Sequence, residues 1–168
     1  MKSDRQAAIL EFTADLLKER IYATFVLLAV LLAIDTTHVT PQRVIIVILG
    51  TAFSLWAASL TASRMSYRIV MGEIETDRAL LQKRLIKHSP LLHAAVFPVL
   101  VNLAALLHVI PVQAAVNISL AGLLLLLVTW SLLSARALKV GLLGTFLLAG
   151  VELAIAVIII VIKMATSH

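Results

Sequence analysis

Glu152 stands in LLGTFLLAGVELAIAVIIIVIK, residues 142–163, where it is the only ionisable side chain before the closing lysine. It lies thirteen residues after Lys139 and eleven before Lys163. If those lysines mark two interfaces, the carboxyl sits near the middle of a bilayer. A charged, unpaired acid there costs at least about 2.5 kcal/mol. It therefore has to face other helices, paired or protonated, because desolvation favours the neutral acid. Such a group can carry a proton or exchange one for a cation. It can equally hydrogen-bond a neighbouring helix and lock a bundle together. Asn102, in FPVLVNLAALLH, and Asn117 are the amides able to help line a path or to partner the acid. Pro98 precedes Asn102 by four residues on the same face, and it removes the helical donor to the carbonyl of Ala94, which allows a kink there.

Other polar side chains mark the ends of apolar stretches. Asp35, in AIDTTHVTPQR, closes the first of these, either as a water-facing end residue or as the outer mouth of a cation path. Glu73 and Asp77 stand one helical turn apart. Such a pair of carboxylates can hold a hard divalent cation, or it is solvated and offset by Arg78 and Lys83. Arg64 and Arg68 are also one turn apart, close to an apolar segment, where they can hold lipid phosphate.

The elements that position these groups are helices in lipid. The chain has 168 residues, 61% of them hydrophobic, with a mean hydropathy of +1.05. A soluble domain is about 45–50% apolar. The sequence predicts an all-α polytopic membrane protein with five transmembrane helices at about 21–35, 44–62, 91–110, 112–135 and 140–162. An amphipathic helix over 1–20 precedes them, with Ile9, Phe12, Leu16 and Leu17 on one side and Glu11, Asp15, Lys18 and Glu19 mostly opposite. A cytosolic helical extension over 63–90 separates spans two and three, with Pro90 opening the third span. The uncharged run 91–135 is too long for one crossing and folds back at HVIPVQ, where Pro111 suits the first turn of a new helix.

Basic residues set the orientation. With five spans, twelve of the fourteen fall on one side, so the N-terminus is cytoplasmic and the C-terminus outside. The first twenty residues do not read as a signal peptide, and a bacterial plasma membrane is the simplest location. The net charge of +5 belongs to topology and to anionic lipid on the cytosolic side. No nucleic-acid motif accompanies it. There is no cysteine, hence no disulfide or thiolate site, and no enzyme signature appears.

The order of elements from about residue 20 onward resembles the vacuolar iron transporter family. RMSYRIVMGEIETDRALLQKR lies where that family has a Met- and Glu-containing stretch leading out of its second span, and SARALKVGLLGTFLLAGVELAIAVIIIVI resembles its last loop and span. The resemblance implies five spans, a homodimer and a divalent metal ion as cargo, with Met71, Glu73, Glu75 and Asp77 as the metal-gathering positions. The chain departs from the family in its first span, which lacks the family's glycines and its interior acid, and in a cytosolic helix that is short and as basic as it is acidic. The expected function is a small transporter or channel-like protein for a cation or proton, with Glu152, Asn102, Asn117 and Asp35 along the path. The alternative is a membrane scaffold or accessory subunit that holds a protein or anionic lipid through its cytosolic helices.

Overall fold

The computed structural model describes residues 2–36, 38–72, 78–137 and 150. Among them are five helices and no strand: α1 (Lys2–Leu32), α2 (Pro41–Met71), α3 (Arg78–His93), α4 (Val96–Leu106) and α5 (Val112–Ala137). Of the fifth apolar segment, 140–162, only Gly150 is among the described residues.

Helix α1 fuses the amphipathic piece and the first span into one rod. Only its last twelve residues, 21–32, are free of charge. At 1.5 Å per residue they reach about 18 Å, short of a hydrocarbon core of about 30 Å. Leu27, Leu28 and Leu31 are buried against the other helices, while Phe12 on the predicted apolar side is exposed.

Helix α2 starts and stops on recognisable signals. The Thr40 side chain accepts from the Arg43 N–H, Pro41 occupies the first turn, and Gly72 ends the helix in the left-handed region at φ 69°, its N–H donating to the Arg68 carbonyl. That stop corrects the expectation of one extension over 63–90: α2 ends at Met71, and a separate α3 begins at Arg78 and packs on both α1 and α2. A left-handed residue cannot sit inside a helix, so the chain turns at Gly72.

Pro90 lies inside α3, and the expected third span is broken after His93 and resumes at Val96. The two parts, Arg84–His93 and Val96–Leu106, meet at 41°. Pro98 supplies the physical reason. It lacks the N–H that would bond the Ala94 carbonyl, and it is tolerated as the third residue of α4, where no intrahelical donor is required. The turn before Pro111 is present, with His108 at φ 60° and the Pro111 carbonyl accepting from Ala115 N–H as α5 begins.

Helix α2 and the Val112–Leu133 part of α5 are each long and apolar enough to cross a membrane. Counting the bent pair α3–α4 as one crossing gives three. The chain is thus all-helical among its described residues and compatible with a membrane location. The buried stripes use small side chains, Ala23, Ala52, Ala94, Ala95, Ala105 and Ala115, which let helix backbones approach closely.

Candidate functional site

The described polar groups gather at three levels of the bundle. The first joins α1, α2 and α3. Ser59 and Ser63 lie one turn apart on α2, continuing the buried stripe of Val44, Ile48 and Ala52, and both meet α3. Ser59 Oγ lies 3.1 Å from His88 Nδ1 and donates to Glu19 Oε1 at 3.3 Å. Glu19 Oε1 is itself 3.4 Å from His88 Nδ1. His88 is buried, with a side chain only 4% exposed, and its Nε2 has no hydrogen-bond partner among the described residues. A cavity of about 630 Å³ lined by Lys18, Glu19, Ile21, Tyr22 and Ser59 opens beside the cluster.

This arrangement cannot act as a nucleophilic triad. Serine and carboxylate share one ring nitrogen, whereas activation of a serine needs them on opposite nitrogens. What it can do is pass a proton. When Nδ1 is held by the carboxylate and hydroxyl, Nε2 is the ring position left without a partner among the described residues.

Around this cluster the helices are tied by charge. Arg84 donates through Nη1 to the Ser63 carbonyl and, at 2.7 Å, to Ser63 Oγ. Its guanidinium also lies 5.0 Å from the Tyr67 ring centroid. Lys87 pairs with Asp15 at 2.6 Å, and that ammonium holds the Asp15 carboxyl below the usual carboxylate range.

The second level joins α4 and α5. Asn102 is fully buried and donates to the Pro98 carbonyl at 2.8 Å and to Ser119 Oγ at 3.1 Å. The Ser119 hydroxyl donates in turn to the Ala115 carbonyl, and Asn102 Oδ1 has no partner among the described residues. The third level is the opposite end, where a cavity of about 430 Å³ is lined by Val30, Ala33, Ile34, Asp35, His38, Val39, Arg43 and Val47.

Asp35 is therefore an exposed end residue beside a cavity that also holds Arg43. Asn117 is exposed on α5. It lies two residues, or about 200° of helix, from Ser119, the described partner of Asn102. Arg64 and Arg68 are exposed on α2, and Met71 is its exposed last residue. Glu152, Glu73, Glu75 and Asp77 lie outside the described residues. Among the described residues, no three His, Asp or Glu side chains come close enough to hold a metal ion.

Sequence reasoning missed His88 altogether and put Glu19 on the water-facing side of α1. The Glu19 side chain is 18% exposed because it turns toward α2 and α3. The available signals were slight: an acid two residues before the uncharged half of α1, and serines four residues apart in α2.

No protein-family model matches the chain, and neither the curated proteins nor the solved structures contain a match to it.

Proposed function

We propose that the chain is a five-span integral membrane protein, N-terminus inside, that moves a proton or a cation across a bacterial plasma membrane. The observation that carries this reading is the Glu19–Ser59–His88 cluster at the end of an apolar bundle, a proton-binding group around the buried His88, whose Nε2 has no partner among the described residues. Ionisable groups in such surroundings are expensive and mark ion or proton routes by default. The unpartnered Asn102 oxygen and the Asp35 cavity extend the same line of polar groups toward the other end. Glu152 remains the proposed carrier on sequence grounds.

Against the scaffold alternative, α3 commits three of its polar side chains to α1 and α2. Arg84, Lys87 and His88 are all engaged within the chain. The homodimer and a divalent metal cargo rest on the resemblance to the iron transporters alone. Calorimetry with ferrous iron tests the cargo: heat weakened by Asp77→Asn supports it, and no heat ends it.

The main test is flux. In vesicles loaded with a pH-sensitive dye, Glu152→Gln and His88→Gln should each lower proton or cation-coupled flux about 100-fold, within the usual range for a lost proton-transfer group. Parent-level flux in both would remove the transport role.

A further inference from the structure

A third cavity, of about 590 Å³, runs along α5 past the break between α3 and α4. Its described lining is Arg20, His93, Ala94, Phe97, Gly122, Leu123, Leu125, Leu126 and Thr129. Gly122 to Thr129 spans seven residues of α5, about 10 Å of helix. The lining changes character over that length. Phe97, Gly122 and Leu123 form the far end. Thr129, His93 and Arg20 form the near end, beside Trp130.

The charge of the near end has one sign. Arg20 is the last charged residue before the uncharged half of α1. Its guanidinium lies 5.8 Å from the centroid of the Trp130 ring, and no carboxylate among the described residues pairs with it. Trp130 Nε1 is buried with no described acceptor. No acid is among the described lining residues. The Arg20 cation thus stands where an apolar groove reaches the boundary of the membrane. Phe97 and Leu125 remain exposed on the walls, as they would be where hydrocarbon completes the groove.

We infer that this groove seats one anionic phospholipid, its phosphate on Arg20 and an acyl chain along Leu126 and the Phe97 ring, which itself covers Gly122. The cation and the apolar wall are both needed for this ligand; a soluble anion would use only the first. The site differs from Arg64 and Arg68, which are exposed on α2. The inference rests on the reading of the chain as a membrane protein and is independent of transport.

The test is native mass spectrometry of the full chain in detergent, titrated with phosphatidylglycerol or with phosphatidylcholine. One bound phosphatidylglycerol should be favoured at least about fivefold, the value of one basic side chain toward an anionic headgroup. Arg20→Gln should abolish that preference, and the double variant Arg64→Gln/Arg68→Gln should keep it. Millimolar inorganic phosphate should not displace the lipid. Equal binding of both lipids, a preference that survives Arg20→Gln, or displacement by phosphate would overturn the inference. So would a full-yield crosslink from Leu126→Cys to cysteines placed in 140–162, since the chain itself would then fill the groove. If Arg20→Gln melts early, Leu126→Trp carries the test. It fills the apolar end without touching the charge, and bound lipid disappears if the inference holds and persists if it does not. Resistance of the vesicle-bound chain to alkaline extraction reports separately on the membrane reading.

Discussion

Where α1, α2 and α3 meet, the described bonds are polar and link residues far apart in sequence: Arg84 with Ser63, His88 with Ser59 and Glu19, and Lys87 with Asp15. Where α4 and α5 meet, a five-residue turn brings two apolar faces together, with one side-chain pair, Asn102 and Ser119, between them. The second junction closes a short loop at little entropic cost and is held by small side chains. The first must order residues across long separations, and it does so with bonds that are strong only when every partner is in place. The hairpin should therefore tolerate loss of its polar pair, and the three-helix junction should not.

The largest effect is expected at His88. Replacing it with alanine leaves a cavity and strips Glu19 of its neighbour, a loss of about 2–3 kcal/mol. Thermal melts in detergent check this, and a cycle with Glu19→Gln should return a coupling of about 1 kcal/mol or more. Additive losses would mean that the two side chains do not work as a unit. Next comes Arg84→Ala, which removes two charge-assisted bonds to Ser63 and the Tyr67 contact, about 1.5–2 kcal/mol. Arg84→Lys should recover less than half, since an ammonium cannot reproduce the planar fork.

At the hairpin, Asn102→Leu should cost under about 1 kcal/mol, because interhelical polar bonds in apolar bundles average about 0.6. A loss as large as that for His88 would erase the contrast between the two junctions. The smallest effect concerns Asp15 and Lys87, both more than a third exposed. Asp15 titrates lower in the folded chain than in the unfolded one. Its contribution is therefore present above the unfolded value near 3.9 and is lost as pH falls through the lower folded value. Solvent screening limits it to a few tenths of a kcal/mol. Melts of the parent and Lys87→Ala should converge below about pH 3.

This contrast also explains what could be read from the chain. Pro111 and the uncharged run around it announce the hairpin, and Pro98 announces the break, because proline acts on its own backbone. Thr40, Pro41 and Gly72 bound α2 for the same local reasons, although the stop at Gly72 was read through as continuing helix. His88 and Glu19 touch in the fold, but in sequence the whole of α2 lies between them. Nothing in the period of either segment points to the other. The hydrophobic pattern of residues 4–20 placed Glu19 toward water, and tertiary packing overrode it. Asn102 could be found because a lone amide in an apolar run stands out, while its partner Ser119 is a residue common in such runs.

Helix α2 has a last consequence. Its 31 residues make a rod of about 46 Å, some 15 Å more than the fatty interior is thick. If its Pro41 end is set at one face of the bilayer, Gly72 stands beyond the headgroups on the other, within reach of proteases and soluble proteins. Arg84 grips that protruding shaft at Ser63. An enzyme or antibody acting near Gly72 would therefore meet α2 without ever entering the lipid.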